Sequence, residues 1–464
     1  MNEHACDVAV IGAGTAGIAA YRAATDAGAS AVLIERGPGG TTCARVGCMP
    51  SKLLIAAAKA AHAARSADPF GIRVSGVAVD GRAVLERVRA ERDRFVDSVL
   101  DGLDGLPEGA RIAGTARFED GRSLTVDAHT RIAFKAAVIA TGSSPNIPKP
   151  LHGLGDRLLT TDTLFEIPDL PGSLAVLGAG AVGIEIAQAM TRLGVRVTVL
   201  DTGDTVAGLS QPDLARQAAA IFGAELDLHL GATLEAATRD GDGVRLAWTD
   251  RHGHAQVTRA ERVLAATGRA PNLDGLGLDA AGLRLGDDGV PDFDRRSLVC
   301  AGAPILIAGD ADGWRPVLHE ASRQGGIAGA NAAALAASCA VAKPEPWTSL
   351  AMVFTDPQVA VVGAPYEADA PGRVTGTVEF ADQGRARVDG ANRGGLRIWA
   401  DRDGTLLGGE MIGPAVEHLA HLLTHAIADG KTAATVLNQP IYHPTVEEGF
   451  STALSEITHT ICRS

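Results

Sequence analysis

The chain is poor in cysteine, with six in 464 residues. That is too few for a disulfide scaffold. It also lacks any uninterrupted apolar run of about 18 residues, the least that crosses a bilayer. Its Ala-rich stretches are broken by Gly, Arg, Asp or His, so no membrane span is expected. There is no basic excess either: 42 Lys and Arg face 55 Asp and Glu, a formal charge of -13. Such a balance disfavours nucleic acid and anionic membrane surfaces as partners. The N-terminus shows no basic segment followed by an apolar run and a small-residue cleavage site. No export signal is expected, and the expected compartment is the cytoplasm. What remains is a hydrophobic fraction of 46%, ordinary for a globular protein. Its length implies roughly two to four domains.

The strongest positive signal is an internal repeat. Residues 10–35 and 176–201 both read apolar strand, GxGxxG, helix-like segment, Gly, apolar strand, acid. The glycines are Gly12, Gly14, Gly17 and Gly178, Gly180, Gly183; the acids are Glu35 and Asp201, each at the same offset. In such a unit the first glycine permits a tight strand-to-helix turn. The second admits a pyrophosphate to the backbone, and the third lets helix and strand pack closely. The acid is placed to accept hydrogen bonds from a ribose. One GxGxxG is weak in a chain with 56 glycines, but two in full context predict two dinucleotide sites. Asp201 suits a free 2′-hydroxyl and repels a 2′-phosphate. No Lys or Arg occurs from Thr202 to Ala215, so the second site is expected to take NAD.

Four cysteines are scattered, Cys6, Cys300, Cys339 and Cys462; these are expected to be buried small hydrophobes or inert surface thiols. Cys43 and Cys48 are close together, just after the first dinucleotide unit. In a chain without an export signal, a close pair points to metal or redox chemistry. A structural zinc site needs four ligands, and no second Cys or His cluster at suitable spacing is present, so no metal is expected. The segment after the pair, Leu53 to Arg65, is rich in helix formers. Two cysteines at a helix N-terminus can close a small redox ring, and the helix end favours a thiolate on Cys48.

Cys43-Ala44-Arg45-Val46-Gly47-Cys48-Met49-Pro50-Ser51-Lys52, following a GxGxxG unit, resembles the redox segment of the pyridine nucleotide–disulfide oxidoreductases. The resemblance covers essentially the whole chain. Ala140-Thr141-Gly142-Ser143 and Ala266-Thr267-Gly268-Arg269 are similar to that family's two crossings between domains. Ile307-Ala308-Gly309-Asp310 is similar to its second flavin motif, with His319-Glu320-Ala321 following. Phe354-Thr355-Asp356-Pro357 and His443-Pro444-Thr445-Val446-Glu447-Glu448 resemble its dimerisation domain. The chain departs from the family pattern at Thr41, where a glycine is usual, and at Ile441, where many members have His.

The resemblance implies an α/β fold with two Rossmann-like domains and a C-terminal α/β dimerisation domain. FAD is expected to bind residues 1–150 and 270–340, NAD to bind 151–269, and 345–464 to form the interface domain of a homodimer. Gly12, Gly14, Gly17, Glu35, Arg36, Thr42, Lys52, Thr141, Gly142, Ser143, Gly309 and Asp310 would serve FAD. Gly178, Gly180, Gly183, Asp201 and Gly268 would serve NAD. Cys48 would be the flavin-side thiolate and Cys43 the thiol that exchanges with substrate. Lys52 would lie near the flavin N5, paired with Glu185. His443 would be the acid/base, acting across the subunit boundary and oriented by Glu448.

Within the family, NADPH-linked members would want basic residues after the second strand. Mercuric-type members would show a cysteine pair near the C-terminus, where this chain has only Cys462. Oxidation of dihydrolipoamide by NAD⁺ is therefore the expected activity, with a lipoyl group on a separate carrier protein or a small disulfide as partner. The alternatives are an NAD(P)H-dependent reductase of another disulfide or mercuric-type substrate, and a redox-sensing flavoprotein of low turnover.

Overall fold

The computed structural model describes every residue except 1, 128, 369 and 464. It divides into two compact units. One comprises Met1–Pro50, Val88–Asn146 and Arg269–Pro346; the other comprises Ser51–Arg87, Ile147–Gly268 and Trp347–Ser464.

The first unit is built on a seven-stranded sheet. Four parallel neighbours run in the order Arg111–Ala113, Ala31–Glu35, Asn2–Ile11, Thr130–Ile139, and Ile305–Ile307 also pairs with the last. Ser123–Val126 and Ala116–Asp120 extend it antiparallel. The inner strand ends in the run Val8-Ala9-Val10-Ile11, apolar throughout, as a strand covered on both faces should be. Its residues alternate between two cores. Ala9 and Ile11 join Phe118, Phe134 and Ile139, while Val8 and Val10 join the helices Thr15–Asp26 and Leu318–Ala336.

The second unit repeats the motif. Five parallel strands run Asp227–Leu230, Arg196–Asp201, Ser173–Leu177, Arg262–Ala265, Leu158–Leu159. The helix Ala181–Arg192 follows the central strand. An antiparallel trio, Thr233–Asp240, Gly243–Thr249 and Ala255–Ala260, covers part of its core through Leu246 and Trp248.

The C-terminal part of this unit is a five-stranded antiparallel sheet, ordered Leu350–Val353, Gln358–Gly363, Leu406–Gly413, Gly395–Ala400, Val374–Glu379. As sequence, Trp347 to Gly363 reads as linker plus strand; the structure has two strands there, Leu350–Val353 and Gln358–Gly363. The turn at Asp356-Pro357 separates them. The helices Val416–Ala428 and Glu448–Arg463 pack on this sheet through Leu419, Leu423, Phe450 and Leu454. Glu410 leaves the sheet to receive the start of another helix, Pro212–Gly223. Its carboxylate accepts Ser210 N and Gln211 N at 2.9 Å each, and the Ser210 hydroxyl. It is 1% exposed.

Candidate active site

Each glycine motif forms a strand-to-helix turn whose shape explains its residues. Gly12 and Gly178 have φ of 104° and 108°, and a Cβ on either would stand 2.3 Å from a carbonyl oxygen, of Ala140 or Ala266. A Cβ on Gly17 or Gly183 would stand under 2 Å from the carbonyl of Gly12 or Gly178. The protein itself therefore excludes side chains there. Gly14 and Gly180 differ: a Cβ on either would meet nothing within 4 Å. Each caps a 12-residue helix without any side-chain cap. Open space before unsatisfied helix amides fits a pyrophosphate.

The two acids lock these loops. Glu35 accepts Ala13 N and Gly37 N at 2.7 Å each, one on each oxygen. Asp201 accepts Ala179 N and, at 2.6 Å, Gly203 N. Each carboxylate oxygen keeps a second lone pair, enough for two ribose hydroxyls. A basic residue outside the 202–215 window does reach the loop that follows Asp201. Arg251 pairs with Asp204 at 3.2 Å from a hairpin that sequence reading had no reason to place there.

Two of the segments that the resemblance assigns to FAD meet in the first unit. Ser143 Oγ donates to Asp310 Oδ2 at 2.7 Å, and Arg269 Nε donates to Ser143 Oγ at 2.8 Å. The two crossings pair as antiparallel strands, Ser143–Pro145 with Arg269–Pro271. Three buried polar atoms here have no protein partner: Thr141 Oγ1, Asp312 Oδ2 and Gln324 Nε2. Gln324 uses its carbonyl to accept Gly309 N at 2.6 Å. Orphaned polar atoms around an open cradle fit a bound dinucleotide. Arg36 and Thr42 are exposed, as is Gly268, which lies in the second unit. Burial pushes the Asp312 carboxyl up to about 6, against the Trp314 amide and with Asp310 adding to the rise.

Cys43 lies half-buried on a single helical turn, Thr42–Arg45. Cys48 is exposed and opens the helix Cys48–Arg65. That helix begins five residues before the Ala/Leu/Lys pattern suggests, because Pro50 is tolerated in a first turn. Cys48 thus occupies the helix end that favours negative charge on sulfur. Thr41, the N-cap of the short turn, has φ 57° and ψ 151°, a conformation that glycine adopts freely. Its hydroxyl accepts Ala44 N at 3.2 Å. Cys6 and Cys300 are buried, and burial pushes both thiols up to about 12, so neither is a nucleophile.

Two further pairs lie in the second unit. Lys52 Nζ is 2.7 Å from Glu185 Oε2, and the Glu185 side chain is only 6% exposed. The other oxygen accepts Phe354 N at 2.7 Å, and the ammonium lies 4.7 Å from the centre of the Phe354 ring. His443 Nδ1 donates to Glu448 Oε1 at 2.9 Å, which leaves Nε2 as the free basic position. Glu448 also accepts Thr445 N, and these two bonds hold its carboxyl below the usual range. The His443 side chain is 79% exposed in the protomer. No described hydrogen bond or ion pair joins the His443 pair to the Lys52 pair.

A model of the pyridine nucleotide-disulphide oxidoreductases matches residues 6–325, and one of that family's dimerisation domain matches residues 350–454. The chain belongs to this family. It is a flavoprotein oxidoreductase fold that binds FAD and a pyridine nucleotide, with a dimerisation domain that supports a homodimer. It is 33% identical to a dihydrolipoyl dehydrogenase of Halobacterium salinarum over 98% of each chain. It is 36% identical to a mercuric reductase of Shigella flexneri, over 97% of this chain and 80% of that one. Among solved structures, LpdA of Mycobacterium tuberculosis superposes with TM-score 0.82 at 25% identity, covering 98% and 99% of the two chains. RclA of Escherichia coli, a flavoprotein disulfide reductase, shares the fold with TM-score 0.82 at 22% identity. Among the described residues no helix is long and apolar enough to cross a membrane.

Proposed function

We propose that the chain is a dihydrolipoamide dehydrogenase working with NAD⁺. The observation that carries the choice of nucleotide is Asp201. It holds the second glycine loop through Ala179 N and also accepts Gly203 N, and a carboxylate at the end of this strand suits a free 2′-hydroxyl and repels a 2′-phosphate. The relatives include dihydrolipoyl dehydrogenases over nearly their full length, which supports the choice of substrate.

The residues divide the work. A thiolate of the substrate dithiol attacks Cys43 Sγ of the Cys43–Cys48 disulfide. A bond forms between the two sulfurs, and Cys48 leaves as thiolate at the helix end that stabilises it. The second substrate sulfur then attacks the first, the product disulfide closes, and Cys43 leaves. His443, through Nε2, accepts the thiol protons, while Glu448 fixes the ring and supports its cation. Lys52, held by Glu185, supplies a fixed positive charge for the electron-rich form of the cofactor. FAD, which the first glycine loop, Glu35 and Asp310 would hold, would supply the two-electron chemistry that links the Cys43/Cys48 dithiol to NAD⁺. The base acts on a partner subunit's cysteines, and the lipoyl group arrives on a separate carrier protein.

Anaerobic titration with dihydrolipoamide, then NAD⁺, tests this. Two-electron reduction is expected to raise a long-wavelength band that Cys48→Ser abolishes, and NAD⁺ is expected to discharge it. No NADH formed from dihydrolipoamide sinks the substrate; survival of the band in Cys48→Ser sinks the assignment of Cys48. The similarity to mercuric reductases favours a second reading, reduction of mercuric ion or another disulfide by NAD(P)H. Mercury-dependent NADPH oxidation exceeding the dihydrolipoamide rate would select it.

A further inference from the structure

The helix Ala181–Arg192 grips the segment 354–356 with three side chains in succession, at positions 185, 188 and 192 on one face. Glu185 accepts Phe354 N. Gln188 clasps the Asp356 backbone from both sides: its carbonyl accepts Asp356 N at 2.8 Å, and its amide donates to Asp356 O at 2.8 Å. Arg192 donates to Asp356 Oδ2 at 2.8 Å and to Asp356 O at 3.0 Å. It is itself held by Glu225 at 2.6 and 3.2 Å, and is 4% exposed. Thr355, 1% exposed, closes the turn onto Pro357 O. So many bonds over three residues leave the Phe354 side chain little freedom of place. Its ring lies against the Lys52 ammonium, and its amide occupies the Glu185 oxygen that Lys52 does not use.

We propose that Phe354 is a positioning residue for the Lys52–Glu185 pair, a two-point clamp that fixes where the ammonium charge stands. This rests on the reading of that pair as the one serving the flavin. The ring face attracts the cation and keeps water from one side of it, and the amide prevents Glu185 from turning away. Gln188 and Arg192 act one step further back, by holding the turn that presents Phe354.

The test compares Phe354→Leu, Phe354→Tyr, Lys52→Met and the double variant Phe354→Leu/Lys52→Met as purified holoenzymes. Two quantities are read: the flavin midpoint potential and the rate of anaerobic flavin reduction by NADH. Phe354→Leu keeps the amide and loses the ring. It is expected to slow reduction about fivefold, the scale of one partly desolvated cation–π contact, and to lower the potential. Phe354→Tyr is expected to stay within about twofold of the parent, since a phenol ring binds cations as well. On the Lys52→Met background, Phe354→Leu is expected to change neither quantity. Equal effects of Phe354→Leu on both backgrounds, or a Tyr variant as impaired as Leu, would overturn the clamp while leaving the Lys52 assignment intact. A Lys52→Met variant with unchanged potential and rate would instead overturn that assignment, and the clamp with it.

Discussion

Replacing Asp312 by Asn removes a buried charge and keeps the side chain's shape. Asp312 is 5% exposed, and its Oδ2 is buried without a protein partner. Its carboxyl rises from 3.8 to about 6 in the folded chain, chiefly through burial. The folded chain therefore holds this proton more tightly than the unfolded chain does. The stability tied to it is complete below pH 3.8 and is lost as pH rises through about 6. A shift of about two pKa units makes the full penalty on the order of 3 kcal/mol above both values. Asn keeps an oxygen to accept Trp314 N, which now reaches Asp312 Oδ1 at 2.8 Å. Asp312→Asn should thus stabilise the flavin-free chain by about 3 kcal/mol at pH 8 and by only about 1 kcal/mol at pH 4.5. Urea unfolding followed by Trp fluorescence at the two pH values measures this. A gain independent of pH, or a loss at pH 8, refutes the buried-charge reasoning.

Thr41→Gly should stabilise the chain by about 1 kcal/mol, because relief of a strained conformation, about 1–3 kcal/mol, exceeds the lost cap bond and the freer unfolded chain. A lower urea midpoint would show that the Thr41 cap outweighs its strain. His443→Gln should lower kcat about 100-fold or more, the ordinary worth of a general base. Glu448→Gln should cost less, since its amide oxygen can still accept Nδ1; steady-state kinetics giving equal losses would contradict the orienting role. NAD⁺ should be preferred over NADP⁺ by about 100-fold in kcat/KM, because a 2′-phosphate beside Asp201 sets like charges together. A preference for NADP⁺ would mean that Arg251 rather than Asp201 sets the choice.

The parts of the site that were legible in sequence are those set by local backbone geometry. The two glycine loops could be read because a side chain at Gly12, Gly17, Gly178 or Gly183 would collide with main chain a few residues away or on the adjoining crossing. Glu35 and Asp201 could be read because each bonds back to its own loop. Lys52 and Glu185, 133 residues apart, have no local signature; only resemblance to a family joined them. Phe354 stood out only within a segment that resembles the dimerisation domain, with nothing to join it to Lys52, and Arg251 had no signal of either kind. Their roles depend on which surfaces a turn or hairpin meets after folding, and a single sequence carries no record of that. The missed strand break at Asp356-Pro357 has the same cause, since Gln188 and Arg192 anchor that turn from a distant helix.

Glu410 gives the C-terminal sheet a role unrelated to subunit pairing. Its carboxylate caps the helix Pro212–Gly223, so the nucleotide-binding half borrows a helix end from sequence two hundred residues later. Such a chain resists modular exchange. A chimera that takes its C-terminal region from a relative without an acid at 410 would leave two amides and a hydroxyl without acceptors. Its cofactor half would fray at that helix even where the new subunit interface formed well. Recombination along this fold is therefore constrained by one carboxylate that has no part in the redox chemistry.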